Sequence, residues 1–302
     1  MQMTLLRNED YWGEPAGVAE ASLVYYEDAS AAANALRTGG VDAILRAEAY
    51  DQVESFEADE GFEVVIGDTQ AVVVLSMNNE HEALSDPRVR EAISLAIDKD
   101  SVLAAATNGY GTVLGGPSVP TDPYYEDFSG ERPHDPETAE QLLAEAGADN
   151  LSLTFTVPNR PYAENIAQVV QDDLGSVGIT ASLETQEFPA VWVEQTMTNH
   201  NFDLTVVSHV EPRNMVNYSN PEYYWGYESD EAHGHFADAR GATDDDEYAA
   251  AMEAATEQVV EDVPGVWLYN APNIVVSRDG VDGLPENDLG VGMDLSAVSV
   301  SE

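Results

Sequence analysis

The sequence predicts an α/β protein, and three observations carry that prediction. Short runs rich in Val, Ile and Leu alternate with helical segments. The alternation occurs twice, as β-α-β-α-β-β over residues 21–79 and as β-α-β-α-β over residues 151–210. At 302 residues and 43% hydrophobic composition, the chain is long enough for two units of ordinary size.

The elements follow in order. Residues 21–27, ASLVYYE, read as a strand. In DASAAANALRTGG, Asp28 and Ser30 are candidate caps, the alanines propagate a helix, and Gly39 stops it in the left-handed conformation. Residues 41–45 are the next strand and AEAYDQVESFEADE the next helix. Residues 62–67 and 71–79 read as two further strands, the block as a whole predicting some parallel pairing. At residues 86–109, Asp86 caps a helix, Pro87 takes its first position, and Val89, Ile93 and Ile97 recur on one face. Asp98 caps a second helix that ends at Gly109. GTVLGGPSVPTDPYYEDFSGERPHDP has no period and reads as a long ordered loop, a kind of segment that often carries function.

The second half is plainer. Residues 135–148 form a short amphipathic helix and residues 151–157 a strand. PYAENIAQVVQDDLGSVG is a helix, ITASLETQEF a strand, PAVWVEQTMTNH a helix and FDLTVVSHV a strand. YYWGYESDEAHGHFADAR runs from an aromatic loop into a helix. TDDDEYAAAMEAATEQVVEDV is a long helix whose acidic first turn suits the helix dipole. VPGVWLYNAPNIVVSR gives one or two strands, and the tail after it is weakly structured.

Charge excludes several partners. Eleven basic residues against 57 acidic ones give −46, which repels nucleic acid and anionic lipid. The carboxylates lie between apolar positions along the helices, and the bases are ten Arg and a single Lys, Lys99. Such a chain repels itself in dilute salt, whereas at molar salt the Debye length falls to about 3 Å. This composition resembles that of an extreme halophile, and the expectation is a fold that needs high salt. No Cys is present, so disulfides, thiolate metal sites and Cys nucleophiles are excluded. Residues 1–15 lack the apolar core of a signal peptide, and no stretch is long and apolar enough to span a bilayer.

Catalytic motifs are missing. There is no HExxH, no EF-hand loop, no G-x-S-x-G and no P-loop lysine. His233 and His235 stand two apart and do not share a helical face, so they read as solvated residues at a helix start rather than metal ligands. The 57 carboxylates give no distinguishable acid–base pair. No metal and no cofactor is expected.

One stretch concentrates chemistry. SHVEPRNM, residues 208–215, puts His209, Glu211, Arg213 and Asn214 at the end of a buried strand. Alone it is compatible with catalysis, a metal, a ligand or nothing. Tyr223, Tyr224, Trp225 and Tyr227 follow closely, and aromatic walls with a few polar groups are what ligand clefts use, although aromatics also dominate cores.

Five ordered blocks resemble one family. LLRNEDYWGEP looks like an R-N-x-x-Y-W-G segment, and ASAAANALRTGGVDAI like a helix followed by G-x-x-D. VLSMNN with LSDPRVREAISLAIDKDSV, HDPETAEQLLAEAG, and IAQVVQDDLGSVGI complete the set. Together they are similar to extracytoplasmic solute-binding proteins of ABC transporters, the dipeptide, oligopeptide and nickel-binding type known as solute-binding family 5. The resemblance implies a bilobal periplasmic-binding-protein-like α/β fold of type II. Lobe one would be residues 1–77 plus 270–302 and lobe two residues 78–269, with hinge strands near 76–79 and 267–270.

It also implies a monomer that is not an enzyme and carries no cofactor. It would capture a peptide or similar small solute at the cell surface and deliver it to ABC permease subunits. Glu211 would hold an amino group and Arg213 a carboxylate. His209 and Asn214 would join them at the lip, and Tyr224, Trp225 and Tyr227 would wall a side-chain pocket. The family's R-N-x-x-Y-W-G segment normally lies deep in the chain, whereas here it begins at Arg7. The expectation is therefore an N-terminally truncated chain with lobe one incomplete. The alternatives are a truncated, binding-defective fragment of such a protein and, behind it, an α/β enzyme.

Overall fold

The computed structural model describes residues 1–290 and 292–301. Val291 and Glu302, which belong to the tail expected in lobe one, lie outside the described residues. The described residues are a mixed α/β protein of two compact units, Met1–Thr69 with Pro272–Glu302 and Gln70–Ala271. The chain passes from one unit to the other inside strands β4 (Phe62–Met77) and β9 (Gly265–Arg278).

In the first unit, β1 (Gln2–Leu6) pairs antiparallel with β2 (Glu20–Val24), with Gln2 opposite Val24. The sequence did not signal β1, because every residue in it is exposed and no alternation marks it. Helix α1 (Ala29–Arg37) starts as expected, with the Asp28 carboxylate accepting from the Ala31 N–H. The helix expected over residues 47–60 shrinks to a 3₁₀ turn at Tyr50–Gln52 and α2 (Val53–Glu57), neither of which has a side-chain cap. Arginines seal the small core: the Arg37 guanidinium lies 3.9 Å above the Phe56 ring, and Arg278 donates to the Leu36 carbonyl at 2.7 Å.

Strand β3 (Ala43–Ile44) pairs antiparallel with β9, whose Ser277 faces Ala43. The parallel pairing expected among the first block's strands is not formed by β2, β3 or β4, because β3 takes its partner from the far end of the chain. β4 is one strand of 16 residues rather than two. Gly67 sits inside it where a Cβ would collide with the Glu286 carbonyl, so the residue that reads as a breaker is there to admit a neighbouring backbone. The tail adds the short pair β10 (Val281–Asp282) and β11 (Ser299–Val300).

The second unit keeps what periodicity predicted. α3 (Pro87–Ala96) and α4 (Lys99–Thr107) are capped by Asp86 and Asp98. α5 (Pro136–Ala146) ends at Gly147 in the left-handed region, φ 69°. β6 (Ser152–Pro158), α6 (Pro161–Ser176), β7 (Thr180–Gln186), α7 (Ala190–Trp192) with a π turn after it, and β8 (Leu204–His209) complete the βαβαβ order. β6 runs parallel to both β7 and β8, and β4 runs antiparallel to β8 with Val72 opposite His209.

Strand alternation divides this unit's core into two layers. Val73, Leu75 and Met77 of β4, with Leu204 and Val206 of β8, face an aliphatic layer that includes α3, α5 and α6. Val72, Val74 and Val207 face an aromatic layer that includes Trp192, Tyr218, Tyr224, Trp225 and Trp267. The aromatic layer is closed by α8 (Asp230–Gly241) and α9 (Asp245–Asp262). α9 has three acids in its first turn and no base in its last. Arg90 of α3 supplies one instead, donating to the carbonyls of Asp262 at 2.6 Å and Val263 at 2.9 Å.

The long loop after Gly111 is mostly packed. It carries β5 (Thr112–Val113) on β9, and its Leu114, Val119, Tyr124 and Phe128 are buried in the aromatic layer. A Cβ on Gly115 would strike the Phe128 backbone, so only glycine lets the loop close on itself.

Candidate functional site

The three parallel strands β6, β7 and β8 end on one edge, at Pro158, Gln186 and His209. Ligands of α/β sheets gather outside the carboxyl ends of such strands. β8 pairs with β6 only through Leu204 and Thr205. Beyond that point the Ser208 N–H donates to the Tyr162 hydroxyl at 3.0 Å, so the start of α6 replaces the lost ladder partner. The ends of β6 and β7 are tied too, by Asn159 N–H to the Gln186 carbonyl and Phe188 N–H to Asn159 Oδ1, both at 2.8 Å. Arg160, between β6 and α6, lies 5.2 Å above the Phe188 ring.

His209 is the last residue of β8 and is 3% exposed, because its place in the alternation puts it on the aromatic face. Its Nε2 is 2.9 Å from the Tyr224 hydroxyl, which is 2.7 Å from Ser76 Oγ on β4. Its Nδ1 is 3.5 Å from Glu211 Oε2. The imidazole beside it holds the Glu211 carboxyl below the usual carboxylate range. Burial pushes the Tyr223 hydroxyl up to about 12, with Glu211 adding to the rise, and raises Tyr224 well above its ordinary value. At neutral pH Glu211 is therefore a carboxylate, and Tyr223 and Tyr224 are neutral phenols.

The expected residues fall into two groups. Glu211 and Arg213 are exposed, beside Val210 and Val216, on a turn that Arg213 completes at φ 62°. Asn214 is buried and starts the 3₁₀ helix Asn214–Ser219, its Oδ1 accepting from Asn217 at 3.0 Å. Tyr224, Trp225 and Tyr227, expected to wall a pocket, are 1–3% exposed and packed within the aromatic layer. Trp225 stacks on Tyr218 at 4.2 Å between centroids, and the Tyr227 hydroxyl donates to Asp262 at 2.6 Å. They form a floor beneath the edge because their rings have each other to bury against.

Sequence reasoning passed over Arg160 and Tyr162. The signal for Arg160 was present: a scarce base placed directly after a strand and before a proline. Seven of the ten arginines donate to a carboxylate, hydroxyl or carbonyl. Among the described residues the guanidiniums of Arg160, Arg213 and Arg240 have neither a hydrogen bond nor an ion pair. Two of those three stand on the carboxyl edge, unpaired in a chain with 57 carboxylates.

Other places offer less. No group of three or more His, Asp or Glu side chains among the described residues is placed to hold a metal. His233 and His235 lie within α8. A cleft of about 420 Å³ in the second unit is lined by Asn79, Glu80, Arg90, Tyr227 and Asp262 among others, but not by Arg160, Glu211 or Arg213.

Comparisons with known proteins give the family and the fold. The model of the family described as bacterial extracellular solute-binding proteins, family 5 (middle), matches residues 1–233. The oligopeptide-binding protein AppA of Bacillus subtilis is 25% identical over 93% of this chain. The periplasmic binding protein DppA of Helicobacter pylori, solved with the peptide STSA, superposes on all of this chain with TM-score 0.83 at 23% identity. B. subtilis AppA solved with a nonapeptide does so with TM-score 0.77 at 22% identity. At those identities the two structures establish the fold, that of the periplasmic binding proteins. The chain spans 56% of the AppA sequence, and 60% and 64% of the two solved chains.

Proposed function

Because the chain belongs to the family 5 extracellular solute-binding proteins, we propose that it captures a peptide-like solute for an ABC importer, without chemistry. The observation that carries this reading is the carboxyl edge of β6, β7 and β8. There an anionic Glu211 and two unpaired guanidiniums, Arg160 and Arg213, face solvent over an aromatic floor. A free peptide has the complementary pattern, an ammonium at one end and a carboxylate at the other. Guanidinium takes a carboxylate through two parallel bonds. Val210 and Val216 give the lip apolar contacts for a side chain.

The rest of the reading follows the family. The protein works outside the cytoplasmic membrane as a monomer and hands its solute to permease subunits. Solute binding shifts an open–closed equilibrium of the two lobes by differential affinity. The hinge lies on the strands through which the chain passes between its units, β4 and β9. The partial span of its relatives favours a second reading, a portion that keeps its fold but captures nothing alone.

Calorimetry with a panel of dipeptides decides between them. Glu211→Gln, Arg160→Met and Arg213→Met are each expected to weaken binding by about 10- to 100-fold, the worth of one charge-assisted hydrogen bond. Unchanged affinity in all three variants refutes the site. No heat with any dipeptide favours the second reading.

We also propose that the fold depends on high salt. No Asp or Glu is buried among the described residues, so the negative charge is carried at the surface, as in the first turn of α9. Dilution from molar to millimolar KCl is expected to lower the melting temperature. A melting temperature that holds steady or rises on dilution overturns this.

A further inference from the structure

We propose that Asn150 is an acceptor for an N-linked glycan, at the end of the sheet opposite the solute edge. The inference rests on the extracellular part of the reading above, because such acceptors are surface loops of exported proteins.

The sequence holds two N-x-S triplets, Asn150-Leu151-Ser152 and Asn217-Tyr218-Ser219. The triplet alone is a weak signal, because it does not say whether the amide can be reached. The fold separates the two.

The first triplet is open. Asn150 is exposed in the turn that joins α5 to β6. Its φ of 62° is in the left-handed region, which asparagine enters more readily than most residues. Leu151 packs against the aliphatic layer, and its carbonyl accepts from the Thr180 N–H at 2.8 Å. Ser152, between Leu151 and the buried Leu153, faces out at the start of β6. Among the described residues, neither the Asn150 amide nor the Ser152 hydroxyl has a side-chain hydrogen bond.

The second triplet is closed. Asn217 Nδ2 donates to Asn214 Oδ1 at 3.0 Å, and Ser219 Oγ to the Val216 carbonyl at 2.7 Å. Both residues belong to the 3₁₀ helix Asn214–Ser219. Tyr218 between them is 2% exposed, and its hydroxyl accepts from the Trp267 indole at 2.9 Å. A sugar on Asn217 would displace the bond to Asn214.

The place of Asn150 also spares the solute. The seven residues of β6 put about 20 Å of strand between it and Pro158 on the carboxyl edge. β8 runs parallel to β6, so Glu211 and Arg213 follow its far end.

The donor is an oligosaccharide joined through its anomeric carbon to a lipid phosphate. Asn150 Nδ2 bonds to that carbon as the carbon–oxygen bond to phosphate breaks. The phosphate leaves with the bonding electrons, and the amide proton passes to the transferring enzyme. No oxidation or reduction is involved.

Glycopeptide mass spectrometry of the chain isolated from the cells that make it tests this. The Asn150 peptide should carry sugar and the Asn217 peptide should be bare. Asn150→Gln should remove the sugar. Ser152→Ala should remove it too, without touching the left-handed residue, and serves where the first variant does not fold. Ser152→Thr should keep it. A bare Asn150 in wild type, or sugar that survives Ser152→Ala, overturns the proposal. Transfer to the same folded chain in vitro, with an N-x-S/T transferase and its lipid-linked donor, then traces the failure to location rather than to the site. Calorimetry with alanyl-phenylalanine should give glycosylated wild type and bare Ser152→Ala affinities within about twofold of each other. A larger gap overturns the placement away from the edge. If neither form binds a dipeptide, the solute reading fails, and the glycan mass still decides the acceptor site.

Discussion

Replacing Trp225 by alanine is expected to lower the unfolding free energy by about 3–5 kcal/mol, the usual cost of emptying a large aromatic site. Trp225 is 1% exposed and touches rings on several sides, with Tyr218 at 4.2 Å, Tyr223 at 4.4 Å and Tyr224 at 5.0 Å. Those neighbours are themselves fixed, Tyr224 to Ser76 and Tyr218 to the Trp267 indole N–H at 2.9 Å. They cannot collapse into the space an alanine leaves. Trp225→Phe is the control. The indole N–H of Trp225 is buried with no partner, and removing it offsets the volume lost, so this variant should stay within about 1 kcal/mol. Chemical denaturation in molar KCl measures both. A pocket-wall role would give the opposite pattern, with Trp225→Ala nearly as stable as wild type but strongly impaired in affinity.

The second large effect belongs to Lys99, the single lysine. Its Nζ is buried and donates to the Leu114 carbonyl at 2.9 Å. Burial, with a smaller contribution from the nearby Arg132, lowers its pKa from 10.5 to about 8. Below pH 8 the lysine is charged in both folded and unfolded chains, and the fold bears the full cost of that charge, about 3 kcal/mol. Between about pH 8 and 10.5 the folded chain has released the proton while the unfolded chain still binds it, so the cost is recovered as the pH rises. Lys99→Met never carries the charge. Relative to that variant, wild type should therefore gain about 2.5 kcal/mol between pH 7 and pH 10. The buried tyrosines and the surface carboxylates are common to both proteins and cancel in the difference. A gap that does not move with pH refutes the assignment.

Much of this fold was legible because its signals are local. Asp86 with Pro87, Asp98, Asp135 and Gly147 mark helix ends through their own side chains or backbone conformations, and the structure uses each that way. The βαβαβ order of residues 152–209 was plain because β6 and β8 are buried runs and α6 is amphipathic, while β7, mostly exposed, was marked by its place between two helices. What escaped depends on distant chain. β1 is defined by its pairing with β2, and β3 by its pairing with β9. Gly67 looked like a break because Glu286, which occupies the space beside it, is more than 200 residues away.

The candidate site shows the same division. Glu211 and Arg213 were visible as charges just past a buried strand. The aromatic cluster was visible too, but composition could not tell a wall from a floor, since that turns on which neighbours cover each ring. Arg160 carried a signal as a scarce base before a proline, but placing it on the same edge as Glu211 and Arg213 required knowing that β6 and β8 end together.

Arg90 has a consequence for how the second unit assembles. The carboxyl end of α9 has no lysine or arginine of its own, and the guanidinium that closes it comes from α3, more than 170 residues earlier. Local chain therefore supplies the last turn of α9 with no cation of its own, and its end carbonyls are left to water until α3 docks. Docking adds roughly 0.3–1 kcal/mol at that end, which couples the stability of α9 to the closing of the aromatic layer. In a chain so poor in bases, a helix that borrows its cation reaches its full stability only within its tertiary structure.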